Sequence, residues 1–83
     1  MPAFTATVAV RLKEGVLDPE AETTRRALER LDYAVDDLAR ADHFEVTFSA
    51  ESLDEAEEVA HEMTKRLLAN PTIHDYDVEV IAK

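Results

Sequence analysis

The sequence predicts an α+β domain of order β-α-β-β-α-β, an antiparallel sheet with two helices on one face. Three observations carry that expectation. Apolar residues alternate near both ends of the chain, from Phe4 to Leu12 and from Tyr76 to Ile81. A third alternating run, Phe44 to Ala50, lies between them. Two other stretches, beginning near Asp18 and Ser52, repeat their apolar residues every three or four positions. Alternation buries one side of a strand, and a spacing of three and four buries one side of a helix.

In the first strand Phe4, Ala6, Val8, Val10 and Leu12 share one face, and Thr5, Thr7 and Arg11 the other. Glu14-Gly15 ends it. Gly15 is the only glycine, and its place at a strand exit calls for a backbone shape that other residues resist. Asp18-Pro19 opens the first helix: the carboxylate caps free amides, proline fits the first helical position, and Glu20 and Glu22 suit the positive end of the helix dipole. Ala21, Thr24, Leu28 and Leu31 form its inner face, Glu22 and Arg26 sit one turn apart outside, and Asp32-Tyr33 ends it.

Val35 to Arg40 is expected to be a short, polar second strand, turning at Ala41-Asp42-His43 into the third strand, Phe44 to Ala50, to make a hairpin. Ser52-Leu53-Asp54-Glu55 is a capping box, with the Ser52 hydroxyl and Glu55 carboxylate each facing a free amide. The second helix then runs to about Ala69 with an apolar stripe of Ala56, Val59, Ala60, Met63 and Leu67, and Pro71 stops it. Tyr76, Val78 and Val80 mark the last strand. One sheet with both helices on one face, the ferredoxin-like arrangement, is the simplest packing of this order.

At 83 residues the chain is expected to form one domain, residues 1–83, with a thin core for which oligomerisation is a common remedy. The absence of cysteine excludes disulfides and thiolate metal sites. A net charge of -10 repels phosphate backbones and anionic lipid, which argues against nucleic-acid and membrane-surface roles. Acidity with few lysines fits either a high-salt proteome or an ordinary acidic surface. Met1-Pro2-Ala3-Phe4-Thr5 offers no signal peptide, and a cytoplasmic location is expected.

Little in the chain suggests chemistry. His43, His61 and His74 fall on a turn, a helix and a loop without metal-ligand spacing. His74-Asp75 has no partner nucleophile, since Ser49 and Ser52 fall on a strand and a helix cap. Glu57-Glu58 falls on a helix face expected to be solvated, Asp36-Asp37 lacks calcium-loop spacing, and a single glycine builds no phosphate cradle. Arg11 and Lys13 make a small basic spot, readable as a docking contact or as a salt-bridged strand end. Tyr33 and Tyr76 suit either an interface or the edge of a core.

Two segments stand out: Lys13-Glu14-Gly15-Val16-Leu17-Asp18-Pro19, and Leu67-Leu68-Ala69-Asn70-Pro71 followed by Asp75-Tyr76. Together with Val10-Arg11-Leu12, Ala27-Leu28, Phe44-Glu45-Val46, Ile73 and Val78-Glu79, they resemble the PurS family, the small subunit of phosphoribosylformylglycinamidine synthase. The match runs over nearly the whole chain and is weakest from Val35 to Asp42.

The resemblance implies a non-catalytic subunit in de novo purine (IMP) biosynthesis. In that family the whole complex is a glutamine-hydrolysing, ATP-dependent carbon–nitrogen ligase. A PurL-type synthetase subunit uses ATP and Mg, and a PurQ-type glutaminase subunit releases ammonia. The small subunit is a homodimer or tetramer that bridges the two for ammonia transfer and binds no cofactor of its own. The resemblance points to Lys13, Glu14, Gly15, Leu17, Asp18 and Pro19 as partner contacts. From the second segment it adds Leu68, Asn70, Pro71, Asp75 and Tyr76. No catalytic residue and no metal ligand is expected. The alternatives are a free-standing ferredoxin-like regulatory module that binds a small metabolite at a dimer interface, and a small metal-dependent enzyme built on the histidines.

Overall fold

The computed structural model describes all residues, Met1–Lys83. Strand β1 (Ala3–Leu12) forms the centre of a three-stranded antiparallel sheet, flanked by β2 (Ala41–Ser49) and β3 (His74–Ala82). Between them come helix α1 (Pro19–Arg30) and helix α2 (Leu53–Met63), the latter continued by a π-helical stretch, Thr64–Leu68.

Alternation sets the register. Phe4 stands opposite Phe48, Ala6 opposite Val46 and Val80, and Val8 opposite Phe44 and Val78, all on the side that carries α2. On the other side Thr7 lies between Glu45 and Glu79, and Thr5 faces Thr47. The core is thin, as the chain length dictates: 10 of 83 residues are buried, and six of them form two small clusters. One joins Phe4, Ala50 and Ala56; the other joins Val8, Val10 and Ala69, with Leu68 and Tyr76 packed against it.

The α+β class, the antiparallel sheet and the two helices match the sequence expectation, but three details differ. No strand forms over residues 35–40. Val35 and Leu38, the half-buried residues of this segment, are three apart rather than two, and Asp36-Asp37 are poor strand formers. The expected turn at Ala41-Asp42-His43 is instead the start of β2, because Arg11, Val10 and Ala9 supply ladder partners for all three residues.

The second difference is the placement of α1. Only α2 packs on the sheet, against β3 and more lightly β1. Helix α1 and the returning segment 33–40 form an arm off the end of the sheet where β1 finishes. The radius of gyration is 16.4 Å and the molecule extends 52 × 26 × 15 Å, against about 12 Å for a compact chain of this length. Ala21 is the only buried residue of α1, and Leu31 and Tyr33 are 67% and 62% exposed.

The third lies in the last turn of the second helix. The fully buried Thr64 donates its hydroxyl to the Ala60 carbonyl at 2.8 Å, and the Ala69 amide reaches back five residues to the Thr64 carbonyl. That π turn takes up one extra residue and shifts the helical phase. Leu67, expected in the apolar stripe, is therefore 85% exposed, and Leu68 packs inward in its place.

Candidate functional site

The two segments singled out in the sequence meet at one end of the sheet. The Lys13 amide donates to the Ile73 carbonyl at 2.8 Å, so the exit of β1 is clasped to the entry of β3. On one side of the clasp, Gly15 turns the chain with φ +88 and the Val16 amide closes onto the Lys13 carbonyl at 3.0 Å. No other atom lies within 4 Å of where a Cβ would sit, so the backbone angle alone calls for glycine. On the other side, the Ile73 and His74 amides both donate to the Asn70 carbonyl, at 3.0 and 2.8 Å. The Asn70 amide donates to His74 Nδ1 at 2.9 Å, and the Thr72 amide to Asn70 Oδ1 at 3.0 Å. Asn70 thus organises the turn that Pro71 enters.

Asp18 anchors the start of α1. Its Oδ1 accepts from the Glu20 and Ala21 amides, both at 3.1 Å. Arg40, from the returning segment, lies 3.2 Å from its Oδ2 and 3.1 Å from Glu20 Oε2. The Ala21 amide, aided by Arg40, holds the Asp18 carboxyl below its ordinary value, and hydrogen bonding to Asp18 raises Arg40.

These elements enclose an open groove of about 490 Å³. The 13–18 turn makes one wall, residues 37–40 make the other, and Asp75 closes the sheet end. Its lining mixes signs: Glu14, Glu22, Asp37 and Asp75 against Arg11, Lys13 and Arg40. Arg11 is committed to Asp77 at 2.6 Å, which bears out the salt-bridged strand end for that residue. Arg40 is committed to the arm, while Lys13 makes no ion pair and is the groove's free cation. No nucleophile is set against a base here, and no three His, Asp or Glu side chains converge as metal ligands. Such a surface offers shape, one free cation and exposed carboxylates.

The candidate residues therefore divide. Lys13, Glu14, Gly15, Leu17, Asp18 and Asp75 line the groove. Leu17 is 78% exposed, with nothing in the chain to cover it. Pro19 opens α1 beside the groove, and Asn70 and Pro71 lie exposed on the adjoining turn. Leu68 and Tyr76 instead face the core, and the Tyr76 ring meets His61 edge-on at 6.2 Å. Sequence reasoning missed the tie of Arg40 to Asp18, and it weighed His74 only as a base or metal ligand, not as the acceptor for the Asn70 amide. The four-residue spacing from Asn70 to His74 was a usable signal, whereas nothing local tied Arg40 to Asp18.

Comparison with known proteins gives one answer. The family model described as PurS, phosphoribosylformylglycinamidine (FGAM) synthase, matches residues 5–82. The chain is 46% identical over 77 residues to phosphoribosylformylglycinamidine synthase subunit PurS of Methanothermobacter thermautotrophicus, covering 93% of this chain and 92% of that one. Among solved structures it is similar to PurS of Methanocaldococcus jannaschii, described as one of the subunits of formylglycinamide ribonucleotide amidotransferase in the purine biosynthetic pathway. The TM-score there is 0.81 at 39% identity, covering 94% and 95% of the two chains. It also matches a chain in the structure of PurLQS from Thermotoga maritima, with a TM-score of 0.87 at 29% identity over 98% and 100% of the chains.

Proposed function

The chain belongs to the PurS family of phosphoribosylformylglycinamidine synthase subunits, and from that premise we propose that it works as a docking bridge within the complex. Its place is that of the small subunit in purine biosynthesis. In our reading the partners are a synthetase subunit that uses ATP and Mg and a glutaminase subunit that releases ammonia. The chain self-associates and holds the two together in the cytoplasm, so that glutamine hydrolysis feeds a carbon–nitrogen ligase. It contributes contacts and carries no cofactor. Holding one active site near another raises its effective concentration, which a bridge achieves without chemistry of its own.

The observation that carries this reading is the clasp from Lys13 to Ile73. It fixes both family segments as one rigid surface with a free cation and an exposed leucine, and with no catalytic constellation. That is the composition of a contact patch: an apolar anchor beside a charge that sets orientation.

The test is co-elution of the purified chain with the two large subunits, wild type against Lys13→Glu. Charge reversal is expected to weaken complex formation while self-association of the chain persists. Undiminished co-elution of Lys13→Glu would remove the groove from the interface.

A further inference from the structure

The turn between the second helix and β3 is held by an imidazole. The Asn70 amide donates to Nδ1 of His74 at 2.9 Å. A ring nitrogen that accepts carries no proton, so this bond exists only with the neutral ring, its proton on Nε2. A charged ring has an N–H on both nitrogens and sets a donor against the Asn70 donor. The same two residues are joined a second time, by the His74 amide and the Asn70 carbonyl at 2.8 Å. Asn70 also accepts from the Ile73 amide at its carbonyl and from the Thr72 amide at its side chain. All four hydrogen bonds of the turn therefore involve Asn70, and one of them depends on the charge of a ring.

We propose that His74 is a pH-sensitive latch on the contact surface. Neutral, it locks the turn from Asn70 to His74; charged, it releases the Asn70 amide and loosens the turn. The residue before it, Ile73, supplies the carbonyl that receives the Lys13 amide, so the latch lies next to the clasp between the two family segments. Its consequence for partner docking rests on the proposed function, whereas the latch itself belongs to the chain alone.

The surroundings of the ring make this bond the contact that tells its two forms apart. On β1, His74 stands opposite the uncharged Leu12. It shares a small pocket with Arg11 of β1, with Asp18 and Arg40 at the base of the arm, and with Asp42 of β2. Two carboxylates thus balance two guanidiniums. Arg11 is engaged with Asp77, and Asp18 with Arg40. Asp42 makes no ion pair, so the pocket offers a released, charged ring one open carboxylate. On β3 itself Asp75 follows, opposite Arg11, and from α2 comes His61, whose ring meets that of Tyr76.

The test is nuclear magnetic resonance of the isotopically labelled chain alone, without the large subunits, from about pH 8 to about pH 5, the span in which imidazoles change charge. A coupling through the hydrogen bond, between the Asn70 amide nitrogen and His74 Nδ1, is expected at the upper end. It is expected to vanish as the ring takes up its proton, with the Asn70 and Thr72 amide resonances moving along the same curve as the ring. Exchange of the Asn70 amide, relative to its intrinsic rate at each pH, is expected to speed up about fivefold, which matches the loss of one ordinary hydrogen bond. His74→Asn puts an uncharged oxygen acceptor in place of Nδ1 and is expected to keep the turn closed across the range, while His74→Ala is expected to leave it loose throughout. No coupling at the upper end, Asn70 and Thr72 resonances that ignore the ring's titration, or a His74→Asn chain that loosens as the wild type does each overturn the latch. Co-elution with the large subunits at both ends of the range reads the bridging role separately: a latch that opens without weakening co-elution stands, and counts against the turn as an interface.

Discussion

Arg40 Nε lies 3.2 Å from a carboxylate oxygen of Asp18, twenty-two residues earlier in the chain, and this pair closes the base of the arm. The same carboxylate caps α1 through the Glu20 and Ala21 amides. One side chain therefore does two jobs that substitution separates. Asp18→Asn keeps a cap and loses the charge attraction to Arg40. Asp18→Ala loses both, leaving the first amides of α1 without a side-chain partner. Amide exchange along α1 and residues 33–40 checks the order: alanine is expected to loosen both segments, asparagine mainly the second.

Acid acts on the same base. The Ala21 amide, with help from Arg40, holds the Asp18 carboxyl below its ordinary 3.8, and Arg25 holds Glu22 below its ordinary 4.5. Because the folded values are depressed, the unfolded chain takes up protons first as pH falls. The stabilisation is complete above the ordinary values and is lost as pH drops through the lowered ones. Chemical shifts of the α1 amides are expected to hold steady from neutrality to about pH 5 and to move below about pH 4. Loss of α1 near pH 6 would contradict this assignment.

Gly15 provides a test of backbone shape free of crowding. Its φ is +88 and no atom would meet an added Cβ. Gly15→Ala is expected to cost about 1–2 kcal/mol in urea unfolding. Gly15→Asn, a residue that tolerates this region better, is expected to cost less.

The π turn makes a prediction opposite to that of simple helical periodicity. Leu68 packs against the cluster of Val8, Val10 and Ala69, while Leu67 points out. Leu68→Ala is expected to destabilise the chain by about 2 kcal/mol, and Leu67→Ala, measured at dilution, by less than about 0.5 kcal/mol. Thr64→Val removes the hydroxyl that bonds to Ala60, for an expected cost of about 1 kcal/mol. The reverse order for the two leucines would mean that the helix keeps its phase.

What the sequence revealed follows from where the determining interactions lie. Strands β1 and β3 were legible because the burial of Val8 or Val78 depends on an alternation written in the strand itself. The Asp18 cap and the Ser52 hydroxyl, which accepts from the Glu55 amide at 3.2 Å, were legible for the same reason. The placement of α1 was not: its stripe announces a helix that needs a partner, but not which surface supplies one. Residues 35–40 were misread because a strand exists only beside another strand, and this stretch runs along the arm instead. The exchange of Leu67 for Leu68 depends on one buried threonine shifting the phase, which a fixed period of 3.6 does not register. Of the candidate contacts, the 13–18 turn and Asp75 meet in one groove, a link made by the backbone of Lys13 and Ile73 and so carried by no side-chain motif.

The measurement that tests the bridging account most directly compares glutamine-dependent with ammonia-dependent formation of formylglycinamidine ribonucleotide by the synthetase and glutaminase subunits, with and without this chain. The account predicts that adding the chain raises the glutamine-dependent rate and leaves the ammonia-dependent rate much less changed. Equal coupling of glutamine hydrolysis to synthesis in its absence would contradict it.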